Sequence, residues 1–158
     1  MKKFLLLLAM GLLAGTFVAS ADDTTWTTDQ YEGATWSGTV NGKEYKAYNW
    51  MEALPDNMLV AHVSIPGTHD SASGHEWESI SGPGCSTTQS CKIPEMLARG
   101  IRAWDFRPGI DGESEKATAY CYHGIDQLKV TLQQAFTWLT SYLTSHPSEF
   151  FVVHLFSR

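Results

Sequence analysis

Three short stretches of this 158-residue chain hold side chains that could do acid–base chemistry on a phosphate ester. The first is Ser64-Ile65-Pro66-Gly67-Thr68-His69-Asp70-Ser71, where a Pro-Gly turn presents His69 beside Asp70. A histidine titrates near neutrality, so it can take or give a proton at working pH. The second is Asp105-Phe106-Arg107. Strand alternation puts Asp105 and Arg107 on one side and Phe106 on the other. A carboxylate beside a guanidinium holds its fork in place, and that fork suits phosphate through two donors and a permanent charge. The third is Tyr122-His123-Gly124. Two histidines with an arginine between them supply a general base, a general acid and a charge clamp, and the set requires no metal.

Each stretch stands where an apolar run gives way to a turn. Leu59–Ile65 reads as a buried strand closed by Pro66-Gly67, Ile101–Phe106 as a second strand, Ala119–Tyr122 as a third and Phe150–Leu155 as a fourth. Lys92–Arg99 reads as a helix with Ile93, Met96 and Leu97 on one face and Gly100 as its stop. Val130–Thr144 is the clearest helix, with Leu132, Ala135, Phe136, Leu139 and Leu143 at helical spacing and His146-Pro147 ending it. Strands alternating with helices predict a parallel α/β fold, which binds ligands at the carboxyl ends of its strands. Four strand units cannot close an eight-stranded barrel of about 250 residues. The expectation is therefore an open sheet or a truncated piece.

The remaining polar residues fit other roles. His62 and His154 fall inside strands, as core or sheet-face residues; His75 sits in the Gly74–Ser90 loop with no evident partner; His146 caps a helix end. Arg102 reads as a surface or supporting residue. Ser71 and Ser73 lack the G-x-S-x-G elbow of a nucleophile. Cys85 and Cys91 are spaced for a local disulfide across the loop, and Cys121 reads as a buried thiol. No zinc-ligand spacing is present.

The chain begins with an address. Lys2 and Lys3 precede an apolar run, Phe4–Val18, and Ala19-Ser20-Ala21 has the A-x-A form of a cleavage site. Residues 1–21 are thus expected to be a signal peptide and the protein secreted or periplasmic. Residues 22–49 read as an irregular leader with a hairpin at Asn41-Gly42, and 50–158 as the chemical domain. The formal charge of −6 becomes −8 when the two lysines go. That excludes a basic face for nucleic acid and gives little attraction to anionic membranes. No protein partner is evident.

The run S-I-P-G-T-H-D-S, then R-A-W-D-F-R, then Y-H-G closely resembles the X region of bacterial phosphatidylinositol-specific phospholipase C. The resemblance spans about Trp50 to Leu155 and includes the P-S-E before the fourth strand. It implies a TIM-barrel-like fold, of which this chain would be the N-terminal half only. It also implies cleavage of phosphatidylinositol to diacylglycerol and inositol 1,2-cyclic phosphate. In that reading His69 is the base, His123 the acid supported by Asp70, and Arg107 the clamp oriented by Asp105. Calcium-dependent relatives carry an acidic ligand where Arg107 stands, so the resemblance implies no metal and no cofactor. The family's lysine after the fourth strand is replaced by Phe156, so either the headgroup is recognised differently or Arg158 takes the lysine's part. Two other readings stand beside this one: cleavage of another phospholipid or of a glycosyl-phosphatidylinositol anchor, and a non-catalytic lipid- or sugar-binding piece.

Overall fold

A computed structural model of the chain describes residues 37–75, 85–113 and 117–156. The expected signal peptide and Arg158 lie outside these residues, as do parts of the leader and of the 74–90 loop. No helix among the described residues is long and apolar enough to cross a membrane.

The hairpin at Asn41-Gly42 forms as its sequence dictates. Strands β1 (Ser37–Val40) and β2 (Lys43–Lys46) pair antiparallel around a two-residue turn in which Asn41 and Gly42 take φ of 50° and 80°. Positive φ at both positions is what this turn needs and what Asn-Gly tolerates. A 3-10 segment, Ala47–Ala53, follows and straddles the expected start of the chemical domain. It buries Ala47 and Met51, and Trp50 Nε1 donates to Gly100 O at 3.0 Å.

Among the described residues the parallel sheet has three strands, β3 (Gly67–Thr68), β4 (Ala103–Phe106) and β8 (Val152–Leu155), in the order β3-β4-β8. Its first strand is much shorter than the apolar run before it predicts. Residues 60–62 form a 3-10 turn, with the His62 N–H donating to Leu59 O and the Val63 N–H to Val60 O. Leu59 and Val60 are 62% and 53% exposed, and His62 is exposed rather than core. An apolar run becomes a buried strand only where a second surface covers it, and none of the described elements does so here.

Between β4 and β8 the chain makes an antiparallel excursion. Strands β5 (Pro108–Asp111), β6 (Thr118–His123) and β7 (Asp126–Thr131) form a second sheet in sequential order. The expected third parallel strand is therefore the middle of a meander. Pro108 opens β5, an edge strand where its missing N–H costs no ladder bond. Asp126, Leu128 and Val130 alternate inward along β7. Val130 and Thr131 thus belong to a strand, and the long helix α2 runs Leu132–Ser145. Thr131 caps it: its Oγ1 accepts from Gln134 N at 3.0 Å while Gln134 Oε1 accepts from Thr131 N at 2.9 Å.

The short helix α1 (Ile93–Ala98) buries Ile93, Met96 and Leu97 and stops at Gly100, whose φ is +93°. These side chains pack with Trp104 and Phe106 of β4, Cys121 and Leu128 of the meander, and Ala135, Leu139 and Tyr142 of α2. Because Trp104 and Phe106 turn into this core, Ala103 and Asp105 turn to the opposite face.

Arg102 is neither surface nor peripheral. Its guanidinium is fully buried, donating from Nε to Glu149 Oε2 at 2.6 Å and from Nη1 and Nη2 to the carbonyls of Leu97, Ile101 and Tyr48. Only so many acceptors offset the desolvation of such a charge. His75 also has partners. Its ring stacks on Trp138 at 4.9 Å between centroids and its Nε2 accepts from Ile93 N at 3.0 Å. Burial pushes its pKa down to about 4. The cysteines are free thiols rather than bridged, and Cys121 is buried as expected. The loop is held instead by hydroxyls: Ser73 Oγ accepts from the N–H groups of Thr88 and Gln89 at 3.1 Å, and Ser86 donates to Asp126.

Candidate active site

The turn after β3 carries His69 and Asp70, and its backbone is tightly held. Ser71 grips β4 from both sides of one residue. Its N–H donates to Asp105 O and its Oγ accepts from Asp105 N, both at 2.9 Å. Thr88 Oγ1 and Gln89 Nε2 donate to His69 O at 2.9 and 2.6 Å. The loop thereby fixes where the histidine leaves the chain. Neither serine is placed as a nucleophile; Ser71 and Ser73 are the ties that position the turn.

All five residues singled out from the sequence's central motifs converge. The Asp70 carboxylate is fully buried among three cationic or titratable groups: His69 Nε2 at 3.1 Å, Arg107 Nε at 3.0 Å and His123 Nε2 at 3.3 Å. These are ion-pair contacts without good hydrogen-bond angles. Burial raises the Asp70 pKa, opposed by the charges of His123, Arg107 and His69. Its backbone takes φ +46°.

Asp105 forms a second hub beside it. Its Oδ2 receives Arg107 Nη2 at 3.1 Å, His69 Nδ1 at 3.2 Å and the Asp70 N–H at 3.2 Å. Burial works to raise the Asp105 pKa, but the Asp70 N–H, the Arg107 guanidinium and His154 outweigh it and hold the carboxyl below its usual value. Sequence alternation correctly put Asp105 and Arg107 on one side. It did not show that His69 is held between two carboxylates, or that Arg107 also touches His69, with Nη2 3.1 Å from Nδ1.

His123, the last residue of β6, brings its ring to 6.3 Å from that of His69, centroid to centroid. It arrives from the antiparallel meander, not from a parallel strand. Its Nδ1 is buried without a hydrogen-bond partner among the described residues.

His154 was expected in the core or on a sheet face; it is 68% exposed at the side chain, with Nδ1 3.3 Å from Asp105 Oδ1. The register of β4 and β8 pairs Asp105 directly with His154. Below these groups lies an open recess of about 360 Å³, lined by Gly67, His69, Ala103, Asp105, Val152 and His154 among others.

His69, Asp70 and His123 each offer one ligand atom within 4.8 Å of the others, the spacing of a metal site. Arg107 sits against two of the three, so a fixed positive charge stands where a cation would have to bind. The chemistry of this donor set is that of an anion site flanked by imidazoles.

No family model matches the chain. A 1-phosphatidylinositol phosphodiesterase of Listeria monocytogenes is 33% identical over 108 residues, covering 67% of this chain and 32% of that protein. Human PI-PLC X domain-containing protein 2 is 30% identical over 139 aligned positions, covering 72% of this chain and 44% of the relative. Among solved structures, a phosphatidylinositol-specific phospholipase C of S. aureus matches with a TM-score of 0.60 at 25% identity, over 70% of this chain and 35% of its own. The Listeria monocytogenes phosphatidylinositol-specific phospholipase C matches with a TM-score of 0.58 at 30% identity, over 69% and 38%. The chain thus spans about a third of the length of the Listeria phosphodiesterase. The fold is α/β and TIM-barrel-like over the shared part, and the chain belongs to the family of bacterial phosphatidylinositol-specific phospholipases C and PI-PLC X domains.

Proposed function

We propose that this chain carries the phosphate-cleaving part of a secreted phosphatidylinositol-specific phospholipase C. The observation that supports it best is the convergence of His69, His123 and Arg107 on one buried carboxylate, Asp70. In this reading His69 removes the proton of the inositol 2-hydroxyl. That oxygen attacks phosphorus, the bond from phosphorus to the diacylglycerol oxygen breaks, and His123 gives that oxygen a proton. The products are diacylglycerol and inositol 1,2-cyclic phosphate. Arg107 neutralises the negative charge that grows on the non-bridging phosphate oxygens, where a preorganised donor lowers the barrier most. Asp70 supports His123 and Asp105 orients Arg107. No metal takes part, because the guanidinium fills that role. The substrate is met at a membrane surface, and the A-x-A motif at Ala19-Ser20-Ala21 accounts for export.

The test is product analysis by phosphorus NMR on vesicles of phosphatidylinositol, and separately on other phospholipids and a glycosyl-phosphatidylinositol anchor. The expected product is the cyclic phosphate from phosphatidylinositol, with His69→Ala and His123→Ala each nearly inactive and still folded. Cleavage of another lipid alone would change the substrate. Binding to vesicles without cleavage would favour a non-catalytic module, and full turnover in either alanine variant would remove the two-histidine mechanism. The mass of the exported protein tests cleavage after Ala21.

A further inference from the structure

We propose that His154 is a positioning residue of this site: by engaging Oδ1 of Asp105 it fixes the rotation of that carboxylate and keeps Oδ2 for His69 and Arg107. The inference rests on the phosphodiesterase reading above and adds to it a residue outside the three motifs.

Asp105 has little freedom except at its carboxyl group. Its backbone N–H and carbonyl are both tied to Ser71, and β4 pairs with β8 through Asp105 opposite His154. The remaining freedom is rotation of the carboxylate plane, which is broad and roughly two-fold for an aspartate. Three groups meet Oδ2, from two segments: the Asp70 N–H and His69 Nδ1 from the turn after β3, and Arg107 Nη2 from the end of β4. Oδ1 faces His154 Nδ1 at 3.3 Å, from β8. A carboxylate turned by 90° would lose the His69 and Arg107 contacts together, and the His154 contact opposes that turn. His154 therefore acts on base and clamp alike without touching the reacting atoms. Its side chain is 68% exposed, so fold maintenance is a poor account of it. The contact also contributes to holding the Asp105 carboxyl ionised to lower pH.

Two variants separate the contact from the ring. His154→Phe keeps the ring and removes the donor; His154→Asn keeps a donor at the place of Nδ1. The expected result for His154→Phe is a kcat lower by about tenfold, the scale of one hydrogen bond. KM should stay within about twofold, since the contact is not to substrate. The acidic limb of the kcat profile should move to higher pH, and so should the titration of the Asp105 carboxyl carbon followed by NMR. His154→Asn should restore most of each. An unchanged Asp105 titration in His154→Phe, or an asparagine variant no better than phenylalanine, overturns the proposal. If neither wild type nor variants cleave phosphatidylinositol while the titration still moves, the enzymatic reading has failed. The catalytic role of His154 then falls with it, and the contact alone stands.

Discussion

Removing Arg102 should cost the fold more than any other single change in the described core. The guanidinium is fully buried and ion-paired to a fully buried Glu149, with three backbone carbonyls among its acceptors. It also lies over the rings of Tyr142 and Phe151, at 4.7 and 5.9 Å. Arg102→Met keeps volume and strands Glu149 without its cation. Breaking one side of a buried pair costs about 3–5 kcal/mol, against a total domain stability of about 5–15 kcal/mol. With a urea slope of about 1–3 kcal/mol/M, the midpoint should fall by roughly 2 M. The loss should depend on pH in a stated sense. Burial already raises the Glu149 pKa above 4.5, and Arg102 pulls it back. Without Arg102 it rises further. An acid so raised costs the folded state nothing below 4.5, where it is protonated folded and unfolded alike, and costs more as pH climbs through the folded value. The penalty should therefore be smallest below about pH 4 and grow towards neutrality. The double variant Arg102→Met with Glu149→Leu should recover most of it, since an apolar pair of like volume is often as stable as the ions. Urea titrations at several pH values measure all of this. A loss under about 1 kcal/mol, a loss that does not grow with pH, or a double variant as weak as the single one would refute the reasoning.

Other outcomes follow from single contacts. Arg107→Lys can keep one of the Asp70, Asp105 and His69 contacts but not the set, so kcat should fall about 10²–10³-fold with the fold intact, read by initial rates on phosphatidylinositol vesicles. Those rates should be unchanged by chelator. His75, lowered from 6.5 to about 4 by burial, adds stability that is complete above its unfolded value and is lost as pH falls through 6.5 towards 4. His75→Phe keeps the stack on Trp138 but cannot protonate, and should remove up to about 3 kcal/mol of that slope in urea titrations at each pH. A thiol reagent should label exposed Cys85 in the native state and spare Cys121, which is buried and pushed up to about 12, until the protein unfolds.

The local devices were legible before any coordinates, because they are written in adjacent residues. Asn41-Gly42 names its own turn, and Ile93, Met96, Leu97 and Gly100 name a helix face and its stop. The motifs also placed five side chains correctly at the ends of strands. What was hidden depends on what lies across the sheet. Leu59–Ile65 has the composition of a buried strand and almost none of its pairing, since hydrophobicity reports a need for cover rather than the cover itself. The meander was missed because β5 opens on a proline and β7 merges into the helix cap without a break in polarity. His154 was missed for a related reason. Its importance lies in the register with Asp105, and register is a property of two strands distant in sequence.

The left-handed backbone at Asp70 limits how this site can change over time. At φ +46° glycine is at ease, and among side chains asparagine and aspartate are the best tolerated. The contacts with His69, Arg107 and His123 call for a negative charge at that point. Only one amino acid meets both demands. Glutamate, the conservative choice elsewhere, has the charge and the wrong backbone preference; asparagine has the backbone and no charge. A lineage descending from this chain can therefore leave aspartate here only for asparagine or glycine, and either step extinguishes the charge while leaving the turn in place. Descendants that keep the fold and give up the chemistry should be recognisable by asparagine or glycine at this one position.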